Sequence, residues 1–234
     1  MKVEIWSDVV CPWCYIGKRR FEHALERFEH RDEVEVVWRS FELDPQAPRE
    51  RGTDPASHLA EKYGIGRDEA VAMQARVTGV AAEEGLTYRL DAARSGNTFD
   101  AHRLLQLARE RGVQGAVEER LFAAYFTEGE SIGDVETLVR LAASAGLDAA
   151  EARELLRGDG HAEGVRADER EAAELGARGV PFFVIDRRYG VSGAQAADVL
   201  LQALERAWTD AHPITVLTPS GGDAAACADD SCSI

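Results

Sequence analysis

The sequence predicts an α/β protein in which a long, all-helical segment interrupts a smaller core of strands and helices. Near the N-terminus, residues 2–8 alternate apolar and polar side chains, as a half-buried strand does. Residues 34–41 are rich in β-branched and aromatic side chains, which also indicates a strand. From about 54 to 178, Ala, Glu, Arg and Leu dominate, and these residues favour helices. Strand-like composition returns at residues 180–186.

Residues 1–44 are predicted to form the first part of the core. Between the two strands, apolar side chains recur at helical spacing from Tyr15 to Glu29. A strand-helix-strand unit of this kind is expected to have a right-handed crossover. Pro45 and Pro48 then end the pattern.

A helical insertion is predicted over residues 45–177. Glycines interrupt this segment at positions that suit helix ends. Asn97-Thr98 precedes an apolar-periodic run at residues 101–108 and is expected to start a helix.

Residues 178–211 are predicted to complete the core. After the strand at 180–186, Arg187-Arg188 is expected to form a two-residue hairpin connection, although neither residue favours a positive φ. Tyr189 to Ser192 pairs back as a strand, and Ala194 to Ala207 forms the last helix.

Residues 212–234 differ in kind from the rest of the chain. Prolines, glycines and aspartates without periodicity predict a flexible tail. Its Cys227 and Cys232 are separated by a spacer that lets the two sulfurs meet. We interpret them either as a second redox pair or as an incidental pair, and a four-cysteine zinc site is a further alternative.

The formal net charge is −15, from 42 acidic and 27 basic residues. This balance argues against nucleic acid or an anionic membrane as the main partner, because both require a basic face. No stretch approaches the roughly 20 apolar residues that span a bilayer. The first residues lack the features of a signal peptide, so we expect a cytoplasmic protein. The oligomeric state is not indicated by the sequence.

Cys11-Pro12-Trp13-Cys14 lies between the first predicted strand and helix. At a helix start, unpaired backbone N–H groups and the helix dipole stabilise a thiolate, which favours a reactive Cys11. Pro12 suits the first helical turn. Cys14 follows one turn later, so an exposed attacking sulfur and a more buried resolving sulfur are expected. A zinc half-site and two inert thiols are the alternatives.

A second element, Gly179-Val180-Pro181, places a proline at the head of a late strand. Such a proline is a candidate for a cis peptide bond. A dithiol between a first strand and helix, combined with a late strand-initial proline, is the plan of a thioredoxin-like fold.

Five segments of the chain together resemble the DsbA-like oxidoreductases of the FrnE branch. They are SDVVCPWCYIGKRRFE, WRSFELDP, NTFDAHRLL, GVPFFVID and VSGAQ. These proteins are relatives of the hydroxychromene-carboxylate isomerases and kappa-class glutathione transferases, and the resemblance covers about residues 1–210. It implies a thioredoxin-like fold with a large helical insertion over the dithiol. It also implies Cys11 as nucleophile, Cys14 as resolving thiol and Pro181 as the cis-proline. The isomerase and transferase relatives generally carry Ser at the position of Cys11, so the two thiols favour redox chemistry.

The predicted function is a thiol-disulfide oxidoreductase or isomerase that acts on disulfide-containing or unfolded proteins. Pro12, Trp13, Val180 and Pro181 are expected to contact the substrate, with Trp13 as an apolar platform. No metal, nucleotide or flavin is expected, although glutathione or another low-molecular-weight thiol is a candidate co-substrate. The alternatives are a glutathione-dependent small-molecule isomerase or transferase and a zinc-stabilised or chaperone-like binding protein.

Four further residues have both a functional and a structural interpretation. Asp8 and Glu42 either modulate the thiols or are acids without a role, Asp8 being an exposed one at a strand end. Asn97 is interpreted first as a helix N-cap and second as a modulator of the dithiol. His102 is interpreted first as a packed helix residue and second as a proton relay for the dithiol.

Overall fold

A computed structural model describes residues 1–52 and 54–213 of the chain. The second cysteine pair, Cys227 and Cys232, lies outside the described residues, so its three interpretations stay open. The strands are β1 (Lys2–Ser7), β2 (Glu35–Ser40), β3 (Phe182–Ile185) and β4 (Tyr189–Ser192). The helices are α1 (Pro12–Arg27), α2 (Pro55–Tyr63), α3 (Arg67–Glu83), α4 (Phe99–Glu110), α5 (Gln114–Ala123), α6 (Val135–Ser144), α7 (Ala149–Arg157), α8 (Ala162–Glu174) and α9 (Ala197–Ala211).

The four strands form one mixed sheet in the order β2-β1-β3-β4. β1 and β2 are parallel and are joined through α1, as the sequence predicts. β3 runs antiparallel to β1, with Ile5 opposite Phe183, and β4 runs antiparallel to β3. The first strand is therefore central, and the CPWC segment follows directly from its end.

The two faces of the sheet are covered by different helices. Successive residues of a strand point to opposite faces. Ile5 therefore packs in the cluster that contains Phe21 of α1 and Leu204 of α9. Trp6 packs on the other face against Ala172 of α8. Burial on both faces fixes the register of β1, since a slip by one residue would exchange the two sets of side chains.

Helices α2 to α8 form the predicted helical insertion. Its helices α3 to α7 pack with Cys11, Cys14 and Tyr15 in the largest apolar cluster of the described residues. The insertion also covers the edge strand β2. Gln114 of α5 accepts a hydrogen bond from Trp38 N (3.1 Å) and donates one to Trp38 O (2.8 Å). A side-chain amide thus replaces a neighbouring strand at this edge. In residues 1–52 and 54–213, no helix is long and apolar enough to cross a membrane.

The predicted hairpin connection is wrong by one residue. Asp186 and Arg187 have φ values of 48° and 57°, and Arg188 N donates to Ile185 O at 3.0 Å. Asp186 takes the first left-handed position because its side chain accepts a hydrogen bond from Lys2 N (2.6 Å). The last helix begins at Ala197, three residues later than predicted.

Candidate functional site

The CPWC segment forms the start of α1. Cys11 is the N-cap residue, with φ −86° and ψ 114°, and Pro12 is the first helical residue. Cys11 N donates to Asp8 O (2.9 Å), which closes the turn between β1 and α1. The strand, the turn and the proline therefore place Cys11 at the helix N-terminus, as predicted.

Both sulfurs belong to free thiols that are buried. Cys14 has no exposed surface and Cys11 is 4% exposed, so the attacking sulfur is less open than expected. The physical reason is the insertion, which packs over the start of α1. Burial, and then the adjacent Cys11, raise the pKa of Cys14 well above its ordinary value. The two thiols are thus inequivalent, because Cys11 lines a cavity and Cys14 does not.

The late proline approaches the dithiol. The Val180-Pro181 peptide bond is cis, as predicted, and Cys11 Sγ lies 3.6 Å from Val180 O, where a thiol donates to the carbonyl. Gly17 allows this approach, because a Cβ at Gly17 would lie 2.8 Å from Pro181 Cγ. Trp13 is 44% exposed beside these groups.

A buried polar cluster lies behind the dithiol. Asp8 is 1% exposed, so its interpretation as an exposed acid is wrong. Its Oδ2 accepts a hydrogen bond from Leu43 N (2.7 Å), and its Oδ1 lies 3.4 Å from Nε2 of the equally buried His102. Burial lowers the pKa of His102, but Asp8 and nearby carboxylates outweigh burial and raise it. His102 thus approaches Asp8 and not Cys14.

Sequence analysis missed Glu118 of α5, which is 1% exposed. Ser7 Oγ donates to Glu118 Oε1 (3.1 Å), and within the described residues Glu118 Oε2 has no hydrogen-bond partner. Burial raises the pKa of Glu118 to about 7, against the opposing charge of His102. A signal was present, since Gln114, Glu118 and Leu121 share one helix face with core positions.

Asn97 and Glu42 contact each other at the edge of this cluster. Asn97 Oδ1 accepts a hydrogen bond from Phe99 N (2.9 Å), which caps the first turn of α4 from one residue before the formal N-cap. Asn97 Nδ2 donates to Glu42 Oε1 (3.3 Å). Glu42 also pairs with Arg166, while burial raises its pKa. Through these contacts, Asn97 and Glu42 stabilise the packing of the insertion against the core.

A cavity of about 700 Å³ opens beside Cys11. Its walls are Cys11, Pro12, Trp13, Val180 and the first helices of the insertion. Its volume lies in the range of small-molecule sites. Burial, and then the charges of Arg51 and Lys62, lower the pKa of His58, which lines the cavity. The basic lining residues are Arg51, His58, Lys62 and Arg76.

Residues 1–52 and 54–213 hold no group of three or more His, Cys, Asp or Glu side chains that could hold a metal ion. The four-cysteine zinc alternative requires Cys227 and Cys232, which lie outside that part of the chain.

Comparison with known proteins supports the same fold. The family profile described as "DSBA-like thioredoxin domain" matches residues 2–205. The uncharacterized protein YwbO from Bacillus subtilis (strain 168) is 28% identical over 204 residues, which cover 86% of this chain and 94% of YwbO. The crystal structure of the probable DsbA oxidoreductase SCO1869 from Streptomyces coelicolor is 50% identical, with a TM-score of 0.87, and the match covers 100% of this chain and 99% of that one. The cytosolic disulfide reductase DsbM from Pseudomonas aeruginosa is 18% identical with a TM-score of 0.61, covering 88% and 98% of the two chains, and it shows similarity of fold alone.

Proposed function

Because the chain belongs to the DSBA-like thioredoxin domain family, we propose that it is a thiol-disulfide oxidoreductase or isomerase acting on protein disulfides through Cys11 and Cys14. One observation carries the proposal: Cys11 Sγ stands at the N-terminus of α1, lines a cavity and lies 3.6 Å from Val180 O. This position combines thiolate stabilisation with access for a substrate.

The reaction proceeds by two exchanges. The Cys11 thiolate attacks one sulfur of the substrate disulfide and forms a mixed disulfide, and the other substrate sulfur leaves as a thiolate. Cys14 then attacks Cys11 Sγ, the substrate leaves with two electrons, and Cys11-Cys14 is left as a disulfide. The reverse sequence oxidises a substrate dithiol. Isomerisation ends when a substrate thiol, in place of Cys14, attacks the mixed disulfide.

Substrate binding is assigned to the groups around Cys11. The Val180 carbonyl accepts from the Cys11 thiol in the reduced site, and it becomes available to a substrate N–H when Cys11 has ionised. An extended substrate chain can therefore bind beside Val180-Pro181 through its backbone. Trp13 and Leu43, both exposed and both lining the cavity, offer apolar contacts to unfolded chains.

Proton transfer from Cys14 is assigned to the buried cluster. The raised pKa of Cys14 means that it needs an acceptor before it attacks Cys11. Hydrogen bonding between Cys14 and Ser7 lowers the pKa of Cys14, and the single Ser7 hydroxyl proton is directed to Glu118 Oε1 (3.1 Å), so the hydroxyl can accept a proton from Cys14 while it donates its own to Glu118. Glu118 is therefore the proposed proton acceptor, reached through the Ser7 hydroxyl. His102 lowers the pKa of Glu118 and Asp8 raises it, which makes both residues proposed modulators of this carboxylate.

The test is an insulin-reduction assay combined with reshuffling of a scrambled disulfide protein. Cys11→Ala should abolish both activities, because no other thiol occupies the helix start. Cys14→Ala should accumulate mixed disulfides with the substrate, visible by non-reducing electrophoresis. Full activity of Cys11→Ala in either assay would contradict the proposal.

A second candidate function is supported by the cavity. A space of about 700 Å³ accommodates a small molecule as well as a peptide side chain. This observation favours a glutathione-dependent isomerase or transferase, which needs one thiol only. A Cys14→Ser variant that keeps full turnover of a small-molecule substrate would select this candidate over disulfide exchange.

The proposed reaction requires no metal, nucleotide or flavin, since the dithiol carries both electrons. Glutathione or another low-molecular-weight thiol is the proposed co-substrate that returns the dithiol to its starting state. We place the reaction in the cytoplasm, because four cysteines in 234 residues are sparse for a structural disulfide framework. Recovery of the native protein from another cell fraction would contradict this location.

A further inference from the structure

Tyr88 lies in the segment between α3 and α4 and is held there from both sides. Arg89 N donates to Phe126 O (2.7 Å), and Thr127 Oγ1 donates to Thr87 O (2.7 Å). Phe126 and Thr127 belong to a π-helical turn, Ala124–Glu128, which ends α5. Turns of this type are frequent at functional sites. The insertion thus builds a fixed support for one side chain next to the dithiol.

The Tyr88 hydroxyl donates a hydrogen bond to the main-chain oxygen of Pro12, at 2.7 Å. Tyr88 is 7% exposed, and its ring stacks on Phe126 and Tyr15 with centroid distances of 4.6 and 6.1 Å. Burial, and then Cys11, raise the pKa of Tyr88, so the hydroxyl keeps its proton and stays a donor. The contact reaches the backbone of the CPWC segment directly.

The Pro12 carbonyl is joined in one planar peptide to the N–H of Trp13. Pro12 has no N–H, so Trp13 supplies the first N–H of the helix that is available to an N-cap side chain. In the thiol form, Cys11 donates to Val180 O and makes no cap hydrogen bond. After ionisation it can only accept, and the Trp13 N–H is the first backbone donor that follows it along the helix. A hydrogen bond to the carbonyl oxygen polarises the peptide and strengthens its N–H as a donor.

We propose that Tyr88 is a positioning residue that stabilises the Cys11 thiolate by holding and polarising the Pro12-Trp13 peptide. This inference rests on the proposed function in one respect only, which is that the Cys11 thiolate attacks a substrate disulfide. Tyr88 touches neither a substrate nor the reacting sulfur, and it acts through the peptide. The helical insertion therefore contributes to the reactivity of a thiol that the core presents.

The test compares Tyr88→Phe with Tyr15→Phe in the full-length protein. Both variants lose a hydroxyl hydrogen bond of 2.7 Å from the same aromatic stack, but the Tyr15 hydroxyl donates to Glu119 Oε1 and not to the CPWC backbone. The measurement is the rate of alkylation at Cys11 as a function of pH, followed by mass spectrometry of its peptide. Loss of one hydrogen bond should raise the midpoint of this profile in Tyr88→Phe by about half a pH unit to one unit. Tyr15→Phe should keep the wild-type midpoint.

An unchanged midpoint in Tyr88→Phe, or an equal shift in both variants, would overturn the proposal and leave Tyr88 as a packing residue. Urea unfolding of both variants separates a general loss of stability from the specific effect. The alkylation profile does not require turnover. A shifted midpoint in a protein whose wild-type form fails the insulin assay would therefore contradict the proposed function and leave the role of Tyr88 standing.

Discussion

Glu118 and Glu119 are adjacent residues of α5, and their surroundings move their acidities in opposite directions. Burial raises the pKa of Glu118 to about 7. Burial acts in the same sense on Glu119, but hydrogen bonds from Arg19 and Lys18 outweigh it and lower the pKa to about 2. The Glu118 carboxylate faces the buried cluster behind the dithiol, and the Glu119 carboxylate faces ion pairs. The same substitution at the two positions is therefore a controlled comparison.

Glu118→Gln should remove a pH-dependent loss in the free energy of unfolding. The unfolded chain ionises this group near its reference value of 4.5, and the folded protein ionises it near 7. The folded state therefore loses stability as pH rises between these values. At pH 8 the variant should be more stable than wild type by up to about 3 kcal/mol, and the difference should vanish below about pH 4.5. Denaturant unfolding at pH 4.5, 6 and 8 measures both limits.

Glu119→Gln is the control, and its change in stability relative to wild type should have the opposite sign. The stability that the Glu119 carboxylate provides is fully present at a pH above its pKa in the unfolded chain. It is lost only as the pH falls toward its folded-state pKa of about 2. This variant should therefore be less stable than wild type at pH 8. The assignment of Glu118 as proton acceptor also requires that Glu118→Gln, but not Glu119→Gln, slow the release of mixed disulfides. Equal release rates in the two variants would contradict that assignment.

At the scale of elements, the contact between α1 and the late proline depends on one glycine. Gly17 lies on the face of α1 that approaches Pro181, and an added Cβ would lie 2.8 Å from Pro181 Cγ and 3.5 Å from Ala194 Cβ. Gly17→Ala should force the helix and the Pro181 loop apart, at a cost of about 1–3 kcal/mol. It should also lower the rate of insulin reduction, because Val180 moves with Pro181.

The matched control is Gly79→Ala in α3, where an added Cβ meets no atom within 4 Å. Alanine in an open helix interior is favourable, so this variant should be stabilised by about 0.5–1 kcal/mol and keep its activity. Thermal unfolding and the insulin assay are run on both variants. Wild-type activity in Gly17→Ala would show that the spacing between α1 and Pro181 is not needed for catalysis.

The sequence predicts those elements whose signals are local. The start of α1 follows from Pro12, and the strand character of residues 34–41 and 180–186 follows from their composition. The burial of Asp8 and the role of Glu118 could not be predicted in this way. Each depends on how the helical insertion docks against the end of β1. The helical spacing of Glu118 with core positions indicates its burial, but its contact with Ser7, 111 residues away in the sequence, leaves no local pattern. Local signals thus locate the dithiol, whereas its surroundings are set by tertiary packing.

At the scale of the whole molecule, the two cysteine pairs stand near opposite ends of the chain. The residues before α9 lie close to the dithiol, since Arg20 Nη1 donates to Ala194 O (2.7 Å) on the side of α1 that meets Pro181. The 15 residues of α9 then extend for about 22 Å. The chain between Pro213 and Cys227 can reach up to about 45 Å when extended. Its length therefore permits Cys227 to return to Cys11.

This reach gives the predicted second redox pair a specific test. A tethered pair that spans the gap acts at an effective concentration on the order of millimolar. Truncation after residue 212 should then slow reoxidation of the Cys11-Cys14 dithiol severalfold. The full-length Cys227→Ser/Cys232→Ser variant should slow it equally, because the thiols and not the tail backbone carry the exchange. The wild-type rate should be independent of protein concentration, since the exchange is intramolecular. If the truncated protein matches the full chain in turnover, in reoxidation rate and in its equilibrium with glutathione, Cys227 and Cys232 are an incidental pair.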